Sequence, residues 1–195
     1  RGEHGEERGL IWPLAPPRLW NRHILNSAIA APLFPRGGRV ADIGSGAGLP
    51  GIVLAIARPD VEWILIEPME RRVAWLHEQA ASLGLSNVEV VRGRGEEWKR
   101  GAVLDAVTAR AVSALRTLIP LTVPLLRSGG EVILLNGVNA QNEIAGAEEV
   151  SRKNRRTDVG EGGEARFVLA HGLEELEGVL LVQLGEVRLQ LGVEE

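Results

Sequence analysis

Two rhythms of apolar and polar positions alternate along this chain. Short, mostly apolar runs at Arg39–Ile43, Trp63–Glu67, Val88–Val91, Leu104–Ala109 and Glu131–Leu135 read as strands. Between them lie stretches with helical spacing. Leu49–Arg58 predicts a helix stopped by Pro59, and Glu70–Leu83 an amphipathic helix closed by Gly84. Ala114–Leu126 predicts a third helix, interrupted at Pro120, after which Gly129-Gly130 turns into the next strand. Strands alternating with helices predict a mostly parallel sheet covered on both faces.

The ends of the chain follow other patterns. Residues 1–17 are polar and then proline-rich, which suggests a lead-in without regular structure. Arg18–Ala31 carries an apolar stripe (Leu19, Ile24, Leu25, Ala28, Ile29) near a 3.6-residue period and predicts a helix ended by Pro32 and Pro35. Asn139–Val150 reads as helical and Ser151–Gly163, charged and glycine-rich, as a loop. Phe167–Ala170, Val179–Leu184 and Glu186–Leu191 read as late strands that add an antiparallel edge. We expect one domain over residues 1–195, with a lead-in and helix over 1–37 and a Rossmann-like core over 38–195.

Composition narrows the class. There is no cysteine, so neither a disulfide framework nor thiolate chemistry is expected. Four scattered histidines give no metal-ligand pattern, and no metal is expected. No apolar run reaches the roughly 18 residues of a membrane span. No signal-peptide pattern opens the chain, so a cytoplasmic enzyme with no membrane partner is expected. The first residue is Arg1 and not Met, which leaves room for a missing N-terminal piece. A net charge of −4 argues against a protein coated in nucleic acid but leaves a local basic face open.

The candidate chemistry centres on Asp42-Ile43-Gly44-Ser45-Gly46-Ala47-Gly48-Leu49-Pro50-Gly51. This run predicts a strand, a glycine turn and a helix whose N-terminal amides face a ligand. Gly46, Gly48 and Gly51 match G-x-G-x-x-G, the dinucleotide pattern. Glu67 ends the second strand about 20 residues further on, where a ribose hydroxyl would lie. Asp42 discriminates between cofactors. A buried acid beside a pyrophosphate would repel it, whereas the cationic methionyl arm of S-adenosylmethionine would favour a carboxylate nearby. Asp42, Gly44, Ser45, Gly46, Gly48, Leu49 and Glu67 are therefore candidate S-adenosylmethionine residues. NAD and a ligand-free structural turn are the competing readings.

Exclusions bear on the methyl acceptor. Pyrimidine carbon-5 methylation usually needs a cysteine nucleophile, and there is none. Exocyclic amines are commonly methylated with an Asn/Asp-Pro-Pro-aromatic loop after the fourth strand; here Thr108-Ala109-Arg110-Ala111 stands instead. A guanine N7 needs neither device, because it has an in-plane lone pair and no proton. Positioning alone then supplies roughly 7–11 kcal/mol of the barrier reduction.

The run Leu19-Trp20-Asn21-Arg22-His23-Ile24-Leu25-Asn26-Ser27-Ala28 resembles the W-x-R-H-(I/L)-L-N-S segment of the bacterial RsmG/GidB family. These are methyltransferases acting on a guanine N7 of small-subunit ribosomal RNA. The Asp42–Gly51 loop, Glu67 with Arg71-Arg72, Arg92-Gly93-Arg94-Gly95-Glu96-Glu97 and Ala109-Arg110-Ala111 are similar to that family too. The likeness runs from about Leu10 to Gly137.

The resemblance implies a class I S-adenosylmethionine-dependent methyltransferase fold, with a mostly parallel seven-stranded sheet. It implies that Gly44 and Leu49 line the cofactor, that Gly95 and Glu96 face its adenine, and that Arg110 sits between cofactor and guanine pocket. Arg110, Asn136 and His23 are the expected catalytic residues, and Arg22, Asn26 and Arg94 the expected RNA contacts. The implied partner is 16S ribosomal RNA or the small subunit, met by a monomer. Two departures stand out: Ala109 replaces the usual Ser, and Asn136 the usual Lys. A small-molecule or protein methyltransferase, or a cofactor-binding module without catalysis, are the alternatives.

Other features have plainer readings. Arg110 reads equally as a strand-end arginine paired with an acid such as Glu96. The basic run Arg152-Lys153-Asn154-Arg155-Arg156 reads as a solvated face or an RNA backbone contact. Trp63 and Trp75 read as core; Trp20 and Trp98 read as core or as base-stacking platforms.

Overall fold

A computed structural model describes residues 24–98, 103–110, 118, 121–136, 164–171, 174–176, 179–181 and 184–190. Its centre is a seven-stranded sheet. The strands are β1 (Arg39–Ile43), β2 (Glu62–Glu67), β3 (Val88–Arg92), β4 (Leu104–Arg110), β5 (Leu126–Asn136), β6 (Glu164–His171) and β9 (Leu184–Gln190), in the order β3-β2-β1-β4-β5-β6-β9. Every neighbouring pair is parallel except β6 with β9. This is the expected doubly wound sheet with an antiparallel C-terminal edge. Two further strands, β7 (Glu174–Leu176) and β8 (Val179–Leu181), form a separate antiparallel pair.

The central strands are apolar throughout because both faces are covered. On one face Ala41, Ile43, Ile64, Ile66, Val107 and Leu134 pack with Trp98 and Leu118. On the other, Val40, Trp63, Leu65, Ala106 and Ile133 pack beneath α2 (Gly51–Ala57) and α3 (Glu70–Ser82). The 3-10 turn at Ala31–Leu33, which follows the short α1 (Asn26–Ile29), adds Ala31 to that same face. Trp63, Trp75 and Trp98 are all buried core residues, so Trp98 is not a stacking platform.

Local signals explain most boundaries. Gly84, at φ +64°, closes α3: its N–H reaches the carbonyl of Ala81, and that of Leu85 reaches Ala80. α2 is shorter than the Leu49–Arg58 expectation and begins at Gly51, with Pro50 in the preceding position. The third predicted helix also ends early. Leu118, Leu121 and Thr122 are helical, a 3-10 turn spans Val123–Leu125, and β5 has already begun at Leu126. Gly129-Gly130 therefore lies inside β5, not ahead of it. The pairing with β4 jumps from Leu104↔Leu126 to Ala106↔Glu131, so the glycines form an irregularity that realigns the strand. The Val179–Leu184 run is likewise divided: Val179–Leu181 pairs with β7, and Leu184 opens β9. The predicted helix over 139–150, the loop over 151–163 and the basic run 152–156 lie outside the described residues.

An arginine clamp ties the N-terminal segment to this core. Arg58, just past α2, donates from Nη1 to the carbonyls of Ala31 and Phe34, both at 2.8 Å, and from Nη2 to that of Pro35 at 3.3 Å. Asp60 holds the other side of the guanidinium through two 2.7 Å bonds and also accepts the Gly37 N–H at 3.1 Å.

Candidate functional site

The chain runs from β1 outward to β3, then returns to the other side of β1 to place β4. In open α/β sheets ligands bind at such a reversal, beyond the carboxyl ends of the strands. At this edge stand the glycine loop after β1, Glu67 at the end of β2, Arg110 at the end of β4 and Asn136 at the end of β5. Strand periodicity puts Asp42, Glu67, Thr108 and Arg110 on the α2 face: Asp42 is level with Leu65 and with Thr108, and Glu67 and Arg110 lie two residues further on.

The glycine loop is held from below. The N–H groups of Gly44 and Ser45 both donate to the Ile66 carbonyl, at 2.9 and 3.1 Å. Ser45 Oγ donates to the Asp42 carbonyl at 2.9 Å, and Trp75 Nε1 to that of Ala47 at 3.2 Å. Ser45 is thus a buried brace of the loop. Glu67, also buried, accepts the Gly46 N–H on Oε2 and the Met69 N–H on Oε1, both at 2.9 Å, while Arg72 stands 3.9 Å from Oε2. The acid expected at a ribose therefore also accepts a backbone amide on each oxygen and shapes the loop.

The glycines divide into two kinds. A Cβ on Gly46 would meet only the Gly44 carbonyl oxygen, at 3.7 Å, so this residue borders open space, and its φ of +55° favours glycine. A Cβ on Gly48 would lie 2.5 Å from Ile52 Cγ1, and one on Gly51 2.5 Å from Asp42 Oδ2. Gly95, in the 3-10 turn Gly95–Glu97, packs so closely on β1 that a Cβ would lie 3.1 Å from Ile43 Cγ2. Gly46 is the member that borders open space, whereas Gly48, Gly51 and Gly95 are glycine so that elements can touch.

Asp42 is buried, and its Oδ2 accepts the Gly51 N–H at 3.0 Å. The leading amide of α2 is therefore capped from within, contrary to the expectation that it faces a ligand. Burial pushes the Asp42 carboxyl up to about 7. The nearby Ser45 hydroxyl, the Gly51 N–H and the Arg110 charge oppose that shift, and the Glu67 charge adds to it. Arg110, half-buried, has its own pKa lowered by burial and raised by Asp42. Its electrostatic partner on this face is thus Asp42. Asp42 Oδ1 has no hydrogen-bond partner, and neither does Thr108 Oγ1. An open-sided glycine and an unpartnered buried carboxylate oxygen fit a ligand with a cationic arm.

The remaining candidates lie further out. Leu49 is half-buried at the end of the loop. Arg94 is exposed, and its N–H donates to Glu97 Oε2 at 3.2 Å. Arg92 pairs with Glu70 at 3.1 Å. Asn26 opens α1 with Oδ1 buried and unpartnered. Glu96 lies in the 3-10 turn beside Gly95. Arg22 and His23 lie outside the described residues. Sequence reasoning missed Thr108. The signal was available: it is a polar residue two before Arg110, on the face shared with Ala106.

Comparison with known proteins gives a consistent picture. The profile of the GidB family, described as rRNA small subunit methyltransferase G, matches residues 2–162. A ribosomal RNA small subunit methyltransferase G from Leifsonia xyli is 65% identical over 178 residues, which is 90% of this chain and 82% of the relative. One from Clavibacter sepedonicus is 61% identical over 158 residues, or 81% of this chain and 74% of the relative. Among solved structures, a SAM-dependent O-methyltransferase from Thermotoga maritima superposes with a TM-score of 0.56 at 16% identity, covering 93% of this chain and 64% of that one. A putative S-adenosylmethionine-dependent methyltransferase from Methanococcus maripaludis gives 0.52 at 19% identity, covering 78% and 68%. Those likenesses concern the fold, which is the class I methyltransferase fold.

Proposed function

Because the chain belongs to the GidB family of small-subunit ribosomal RNA methyltransferases, we propose that it methylates N7 of a guanine in 16S ribosomal RNA, in the cytoplasm. The observation that carries this reading is the meeting, at the β1–β4 reversal, of an open-sided glycine with the Asp42–Arg110 pair. S-adenosylmethionine is the methyl donor and supplies, when bound, an electrophilic methyl carbon.

The residues fit a mechanism that rests on placement. Gly46 leaves room for the cofactor, and Glu67 fixes the loop that borders it. Asp42, buried and raised in pKa, faces the cationic arm with the oxygen that α2 does not use. Arg110 orients the guanine beside the cofactor, with Asn136 from β5 at the same edge. His23 is assigned to the catalytic group with Arg110 and Asn136, and Arg22, Asn26 and Arg94 to holding the RNA. Because N7 carries no proton, no side chain has to remove one; water exclusion and alignment do the work. The guanine comes from an unstacked or single-stranded segment, since N7 in the deep A-form major groove is hard to reach.

The test is direct. The protein is incubated with methyl-labelled S-adenosylmethionine and either small ribosomal subunits or naked 16S RNA, and the RNA is digested to nucleosides. Label in 7-methylguanosine is expected. Absence of label from both RNAs would refute the proposal, and label in another nucleoside would refute the N7 assignment.

A further inference from the structure

Thr108 has no part in the reading above. It is fully buried in the middle of the sheet, level with Asp42 on β1 and Ile133 on β5, and two residues after buried Ala106. Every packing signal at this position asks for valine, which has the same shape and suits a strand. The hydroxyl has no hydrogen-bond partner, which is costly for a buried polar atom. Beside it, on a strand about 4.8 Å away, Asp42 Oδ1 is buried and unpartnered too.

Both atoms are buried without partners at one register position on adjacent strands. Asp42 Oδ1 accepts hydrogen bonds while ionised, and a threonine hydroxyl accepts as well as donates. A group with several N–H donors and a positive charge satisfies both, and an ionised Asp42 favours such a charge. We propose that Thr108 is a further cofactor-binding residue, whose hydroxyl forms with Asp42 Oδ1 a two-acceptor seat for the ammonium of the methionyl arm of S-adenosylmethionine. This rests on the methyltransferase reading above. It also explains why a costly hydroxyl stands where valine would pack.

The variants that test this are Thr108→Val, which removes the hydroxyl at constant shape, and Thr108→Ser, which keeps it. Affinities are measured calorimetrically for S-adenosylmethionine and S-adenosylhomocysteine, which carry the ammonium. 5′-Methylthioadenosine, which lacks the amino-acid arm, is measured by competition. Thr108→Val should weaken the first two about tenfold, the loss typical of one hydrogen bond to a charged group, and leave the third unchanged. Its melting temperature should equal or exceed that of the unmodified protein, and Thr108→Ser should bind as the unmodified protein does. Unchanged affinity for the ammonium-bearing ligands, or an equal loss for all three, would overturn the proposal. If the unmodified protein binds none of them, the cofactor reading itself fails.

Discussion

At the residue scale, one motif holds positions with different jobs. The pattern G-x-G-x-x-G treats Gly46, Gly48 and Gly51 alike, yet only Gly46 borders open space, while a Cβ on either of the others would run into Ile52 or Asp42. Gly46→Val should therefore abolish S-adenosylmethionine binding and lower stability by only about 1–2 kcal/mol, the cost of a side chain at positive φ. Gly48→Ala should unfold the loop and helix together. Calorimetry paired with thermal melts separates the two, and a Gly46→Val protein with unchanged affinity would refute the cradle. Asp42 was legible as a selector for a cationic cofactor because charge is a property of the residue. That it also caps α2 was not, because Gly51 lies nine positions away and only the folded turn brings the two within 3.0 Å.

At the element scale, the N-terminal segment is held by carbonyls. Ala31, Phe34 and Pro35 all present their C=O groups to one guanidinium, and Asp60 fixes its far side. Arg58→Ala would leave these acceptors without their donor, which should cost about 3 kcal/mol. Arg58→Lys should recover little, because a single ammonium cannot reproduce the planar fork. Chemical denaturation measures the loss, and amide exchange should rise over residues 26–37. Unchanged exchange there would show that α1 is held by packing alone. The sequence offered no hint of this clamp, since Arg58 follows a helix and reads as an exposed end. Conversely, the Schellman closure at Gly84 was readable, because it depends on six consecutive residues.

At the scale of the molecule, charge constrains how RNA is met. The net charge is −4, so a polyanion must approach a local cationic face rather than the whole surface. Binding to 16S RNA should weaken as salt rises, with a shallow logarithmic slope of roughly −2 to −4, corresponding to a few phosphates. Filter binding across a salt series measures it; a flat response would mean that phosphates are not contacted. The order β3-β2-β1-β4-β5 places the reversal at β1 and thereby decides which strand ends share a crevice.

The sequence by itself determined the strand–helix alternation, the parallel core, the cofactor loop and the family, because each is carried by local spacing or by residue identity. Only the tertiary structure decided which glycine borders open space, that Glu67 braces the loop, and that Asp42 and Thr108 stand level with each other. Thr108 lies 66 positions beyond Asp42 in the chain. What joins them is strand register, and register arises when the two faces of the sheet are buried together. The unpartnered atoms of that pair are the ones the proposed cofactor seat engages.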